Sequence, residues 1–193
     1  MIAEMPDTIE MPILEPIASR RSRRAFAPET VSQDQIDTLF EAARWAPSSV
    51  NEQPWRYVYA TKGQLLWETI FEALNDGNKV WAKEAQLFIV SMAKKAFSRN
   101  GRPNPTALYD LGGANAFLSL QAASMGLNVH QMGGYDRDTL RMSLNIPEEL
   151  ELGVVMAIGF PGDAALLPEP LRTRELSPRV RMTRSEFVMN QPF

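Results

Sequence analysis

The segment Ala107–Leu127, ALYDLGGANAFLSLQAASMGL, limits the fold more than any other stretch of the chain. It reads as one long helix, with Asp110 as its only charge. A helix that is apolar nearly all round belongs at the centre of a domain or in a subunit interface. Gly112, Gly113, Ala114 and Ala116 are small enough to let another backbone approach closely. Gly126 is placed to end the helix. Asn115, Ser119, Gln121 and Ser124 interrupt the apolar run, which is too short to cross a bilayer that needs ~20 apolar residues.

The other segments must pack around that helix. VSQDQIDTLFEAARWA predicts a helix with Ser32 as N-cap, Gln35 closing a capping box, and an apolar stripe of Ile36, Leu39, Phe40 and Ala43. WRYVYA, QLFIVSMA and GVVMAIGF predict strands, the second with the continuous apolar run of a buried one. KGQLLWETIFEAL predicts a helix closed by NDG, and DRDTLRMSLN one capped by Asp136. NVHQMGGYD predicts a short strand and a tight turn, and SRNGRPNPT a long loop. Residues 1–16, with prolines at 6, 12 and 16, predict an extended arm, and PILEPIASRR the start of a short helix. Residues 17–193 predict one domain, including a proline-punctuated tail from about 164 whose SEFVMN end has strand character. Irregular alternation of strands and helices gives an α+β class with a mixed or antiparallel sheet flanked by helices.

Composition narrows the chemistry. The chain has no cysteine, which removes disulfides, thiolate nucleophiles and Cys metal sites. Its single histidine, His130, leaves no His-rich metal site and no ready Ser-His-Asp triad. The acidic start MIAEMPDTIE is not a signal peptide, so a soluble, cytoplasmic protein is expected. Net charge is −3, which argues against a nucleic-acid partner. No Walker A or G-x-G-x-x-G sequence occurs.

Against this acidic background nine of the 15 arginines lie in two short segments, SRRSRRAF and RTRELSPRVRMTR. Guanidinium groups with the Ser22 hydroxyl suit a phosphate monoester dianion; a solvated basic surface is the alternative. PSSVNEQPW offers Ser48, Ser49, Asn51 and Gln53 to the polar edge of a heterocycle, or is a turn before a core tryptophan. HQMGGYD offers backbone N–H groups to a planar ligand, or is a plain turn. His130 fits a structural role better than an acid–base one.

Taken in order, RRSRRAF, APSSVNEQPWRYV, NKVWA, the helix ending ASMGL, HQMGGYD, AIGFPGD and PRVRMTRSEF resemble the flavin-dependent nitroreductase family from about Ile17 to Val188. The resemblance implies an intertwined homodimer with the C-terminal tail reaching the partner. It implies FMN at the dimer interface, NADH or NADPH as reductant, and a small electron acceptor such as a nitroaromatic or quinone. Flavin reductase, dehalogenase or heterocycle oxidase chemistry, or non-catalytic redox sensing, are the alternatives on the same fold. By resemblance, Arg20, Arg21, Ser22 and Arg24 hold the FMN phosphate with Arg179 and Arg181, Arg172 and Arg174 being the competing pair. Arg23 alternates away from that set into solvent. Pro47, Ser48, Ser49, Asn51 and Gln53 lie against flavin, often the partner's. Asn78 contacts the pyrimidine side of the ring, and Gln131, Met132, Gly133 and Gly134 offer backbone near N5. No catalytic side chain and no metal is implied. The chain departs from well-known members at Gly133, where they have glutamate, and at Trp81, where they have lysine.

Overall fold

The computed structural model describes residues 9–192. The first eight residues of the expected arm, Pro6 among them, lie outside the described residues. Four strands form one sheet: β1 (Trp55–Thr61), β2 (Leu87–Lys94), β3 (Asn128–Met132) and β4 (Leu150–Gly159). Their order is β1-β2-β4-β3 and every pairing is antiparallel, so the mixed alternative falls away. The helices are α1 (Glu15–Ser19), α2 (Gln33–Arg44), α3 (Leu65–Glu72), α4 (Asp76–Ala82), α5 (Ala107–Ser124), α6 (Arg137–Ser143), α7 (Leu171–Leu176) and α8 (Arg184–Phe187).

Central strand β2 explains the layering. Phe88, Val90 and Met92 enter one core with Trp67 and Ile70 of α3, Trp81 of α4 and Leu140 of α6. Leu87, Ile89 and Ala93 enter the other with Ile36 and Leu39 of α2 and Leu111 and Leu118 of α5. Alternation along the strand sends successive side chains to opposite faces, and both faces are covered, hence the unbroken apolar run. Each large side chain so buried contributes about 1.5–3 kcal/mol. The α2 capping box forms as expected: Gln35 N donates to Ser32 Oγ (3.2 Å) and Ser32 N to Gln35 Oε1 (2.9 Å).

In α5 polar residues share the buried face with Leu111, Ala114, Leu118 and Ala122. Its polar residues face inward: Asp110, Asn115 and Ser119 are 4%, 4% and 5% exposed. Asn115 accepts from the Tyr57 hydroxyl of β1 (3.0 Å) and donates to Ser91 Oγ of β2 (3.2 Å), tying the helix to the sheet. Other apolar residues face outward, with Leu108 50%, Tyr109 84% and Phe117 41% exposed. Gly112 and Gly113 meet no backbone within this chain, since a Cβ at either would have nothing within 4 Å. The expected close approach is therefore not made inside the chain. Gly126 ends the helix at φ +74°, and Leu127 N closes the turn on Ala122 O (2.8 Å).

Other expectations are corrected. The arm gives way to α1 at Glu15, so the last two residues assigned to it are helical. NDG does not merely stop α3, because Asn75 stands at the N-cap position of a second helix, α4, without a side-chain capping bond, and the first turn of α4 carries Asp76 where the dipole favours it. The tail is more ordered than expected, with a 3-10 turn (Ala164–Leu166), α7 and α8. SEF is helical rather than strand-like: Thr183 N donates to Glu186 Oε2 (2.6 Å) in a second capping box. That local bond outweighs the β propensity of Phe187 and Val188.

Gly162, just past β4, is where the N-terminal segment crosses the sheet. Its N–H donates to Ala25 O (3.0 Å), and a Cβ there would sit 2.5 Å from the Phe26 carbonyl. Only glycine allows the two segments to lie this close.

Candidate functional site

The two arginine clusters meet in space. Arg179 donates to Arg20 O and to Ala18 O (both 2.7 Å), and Arg21 Nη2 to Ser177 O (2.5 Å). Burial, and then the charges of Arg179 and Arg181, pull the half-buried Arg20 below the usual arginine pKa. Among the described residues Arg20 has no ion-pair partner. Beside it a cavity of about 170 Å³ is lined by Ser19, Arg20, Arg21, Ala123, Gly126 and Asn128, among others. Ser22 is exposed next to this group. Arg172, of the competing pair, instead bonds Glu169 at 2.8 Å.

The expected alternation within the motif is not the one observed. Arg23 is half-buried, and its Nη1 donates to Glu175 O on the tail (2.9 Å). The Arg24 guanidinium lies over the Trp81 ring, 5.9 Å from its centroid, facing the core rather than the cavity. The cause is Glu175, only 4% exposed, whose carboxylate accepts from Arg24 N (3.1 Å) and Ala25 N (3.4 Å) and fixes the backbone there.

Strand β3 runs from the arginine cavity to the glycine turn. Among the described residues it pairs only with β4, so its outer backbone groups form an open sheet edge there. From Asn128 at the cavity to Gly133 is five residues, ~17 Å of strand. Gly133 is exposed, and a Cβ there would meet nothing within 4 Å. Asn78 of α4 is aimed at the same turn, donating from Nδ2 to Gly134 O (2.9 Å). Gln131 is exposed and held by Ser119 Oγ (3.1 Å), while the Met132 side chain is buried in the core, leaving its backbone at the edge. Trp81, at the family's lysine position, is 2% exposed, with ring centroids 6.2 Å from Phe26 and 4.5 Å from His130.

His130 joins β3 to the arginine segment, its Nδ1 lying 3.0 Å from Arg23 O. Burial pushes its pKa below the ordinary histidine value, a shift that the Arg23 carbonyl opposes and Arg24 reinforces. Because the folded pKa lies below the unfolded one, its contribution is complete above pH ~6.5 and is lost as pH falls. The thermal midpoint should therefore drop between about pH 7.5 and 5.5, and drop less in His130→Gln. Equal drops in the two proteins would refute this assignment.

The loop of Pro47, Ser48, Ser49, Asn51 and Gln53 lies elsewhere. Val50, Asn51 and Gln53 have φ of 48°, 58° and 51°, a left-handed conformation that is strained for a β-branched residue such as Val50. Strain of about 1–3 kcal/mol per such residue persists only where neighbours impose it. Here Ser49 N donates to Asp110 Oδ2 (3.1 Å), Gln53 N to Ser48 Oγ (2.9 Å) and Ser98 N to Glu52 Oε1 (2.7 Å). Asp110 begins α5, whereas Gly126 at the arginine cavity lies just past its end. Sixteen residues of helix separate them by roughly 24 Å. One chain thus brings together the arginines, β3, the glycine turn and Asn78, and leaves the loop remote from the arginine end of that row. Reading the sequence for ligand-facing groups missed Asp110, Glu52 and Glu175. The first had a signal, as the lone charge of an apolar helix.

Residues 17–80 match the sequence profile of the Nitroreductase family. A protein of Archaeoglobus fulgidus, provisionally named NADH dehydrogenase/NAD(P)H nitroreductase, is 30% identical over 154 residues, 78% of this chain and 86% of that one. A Methanothermobacter thermautotrophicus protein with the same provisional name is 30% identical over 158 residues, 80% of each chain. A crystal structure of an oxidoreductase containing FMN matches with a TM-score of 0.91 and 32% identity, over 96% of this chain and 95% of that one. A provisionally named nitroreductase from Desulfovibrio desulfuricans, in complex with FMN, has a TM-score of 0.75 at 23% identity, a likeness of fold alone. The relatives, the shared fold and the ordered motifs agree: the chain belongs to the nitroreductase family.

Proposed function

We propose that the protein is a homodimeric NAD(P)H oxidoreductase that holds FMN along β3 and reduces small, electron-poor acceptors such as nitroaromatics or quinones. The observation that carries this reading is Arg20: a half-buried cation beside two more, facing a cavity, with no acidic partner among the described residues. A phosphate monoester supplies the missing charge, and guanidinium and hydroxyl groups are the donors that suit it. Arg20, Arg21 and Ser22, with Arg179 and Arg181, would form this grip. At the far end of β3 the open space over Gly133 leaves room for a planar ring, with Asn78 and the turn's backbone at its edge.

Bound FMN would supply hydride acceptance and donation, and the chain would supply binding, orientation and electrostatics. The same stacking position would serve the nicotinamide and then the acceptor in turn, as a ping-pong cycle requires. Backbone N–H donors at the glycine turn would favour the negative charge that reduction brings.

The second copy follows from distance. Along α5 the loop of residues 47–53 stands roughly 24 Å from the arginine end of its own chain's β3. The apolar face of Leu108, Tyr109 and Phe117 is suited to a twofold partner, which would bring that loop across. In this reading residues 17–193 act as one flavin-binding domain in the cytoplasm, where the nicotinamide reductants are found.

The test is spectroscopic. Purified protein, or protein reconstituted with FMN, should show flavin absorption that NADH or NADPH bleaches without air and a quinone or nitroaromatic restores. Protein that takes up no FMN overturns the reading; flavin that neither nicotinamide bleaches overturns the enzymatic part of it.

A further inference from the structure

The geometry points to Glu175 as a positioning residue that makes the phosphate grip depend on the docked tail. This inference rests on the flavin phosphate reading above. Glu175 lies in α7, is 4% exposed, and makes no ion pair among the described residues, although Arg23 and Arg24 both bond to it. Both its oxygens accept from Arg24 N at 3.1 Å, and Oε1 also from Ala25 N at 3.4 Å. Two successive backbone N–H groups converging on one anion form a small concave cradle. The carboxylate is therefore spent on backbone N–H groups rather than on a guanidinium.

The same stretch of tail makes three further kinds of contact with the arginine segment. Glu175 O accepts from Arg23, Ser177 O from Arg21, and Arg179 donates to the carbonyls of Arg20 and Ala18. From the other side His130 meets Arg23 O. The backbone of residues 20–25 is thus clasped between the tail and β3, and Glu175 is the buried centre of the clasp. Releasing it would let Arg20, Arg21 and Ser22 move without removing any of them. By linkage, an anion that needs the clasped segment must in turn hold the tail down.

The experiment compares FMN with riboflavin, which keeps the ring and lacks the phosphate. Glu175→Gln keeps the side-chain shape and replaces one accepting oxygen with a donor. In fluorescence titrations it should weaken FMN binding about tenfold and change riboflavin binding by less than about twofold. Equal weakening of both, or unchanged FMN binding, overturns the proposal. Should Glu175→Gln not fold, amide exchange of the wild-type protein decides. FMN should slow exchange across residues 171–177 and riboflavin should not; equal protection by both overturns the clasp. A wild-type protein that binds neither flavin instead overturns the cofactor reading, and this inference with it.

Discussion

Arg20→Ala is expected to weaken FMN binding by one to two orders of magnitude while leaving the apoprotein at least as stable as before. The two halves of that expectation come from the same geometry. With no phosphate bound, the Arg20 charge is opposed by its own partial burial and by Arg179 and Arg181, and no described carboxylate relieves it. Its removal takes away a repulsion and leaves no buried partner unsatisfied. With phosphate bound, the same guanidinium becomes a charge-assisted donor, and losing one such contact costs about 1.5–3 kcal/mol, or roughly ten- to a hundredfold in affinity. Thermal unfolding of the apoprotein and flavin titration together check this. A variant that binds FMN as tightly as wild type would move the grip away from Arg20. A variant whose apoprotein unfolds well below wild type would show that Arg20 is structural.

Trp81→Lys, which installs the residue common at this position in the family, is expected to be among the most damaging single changes. Trp81 is 2% exposed, packed between Phe26 and His130, with Arg24 across its face. Loss of a buried tryptophan costs about 3–5 kcal/mol through lost contacts and the space left behind. The incoming ammonium adds the cost of burying a charge beside another cation. Against a total stability of about 5–15 kcal/mol that leaves little margin. A loss of about 4 kcal/mol lowers the midpoint by roughly 8–16 °C in a domain of this size. Trp81→Phe, which keeps an apolar ring, should lose much less. A lysine variant melting within about 2 °C of wild type would mean that the indole is not part of the core in solution. The result would also show that position 81 belongs to packing in this chain.

Much of the fold was legible because its signals are local. The Ser32 capping box, the Asp136 cap, the Gly126 stop and the unbroken β2 run each state their structure within a few residues. Errors came where a distant or competing contact decided. Phe187 and Val188 look like strand residues, but Thr183 and Glu186 close a helical turn ahead of them. Gly112 and Gly113 look like a seat for another backbone, yet within the chain they face outward. For the candidate site, the sequence pointed to its arginines and its glycine turn, since runs of one residue type are conspicuous. It could not say which arginine faces which way. That is settled by Glu175, more than 150 positions away in sequence, and by Trp81, whose burial no pattern of neighbours announces.

The length of α5 also has a genetic consequence. In the proposed homodimer, each flavin position draws its phosphate grip from one chain and its covering loop from the other. A chain damaged only in the grip and a chain damaged only in the loop therefore carry lesions that a hybrid can separate. One of its positions inherits both faults and the other inherits neither. Two inactive alleles of a single gene would then restore activity when expressed together, and lesions at the two ends of one helix would sort into separate complementation groups.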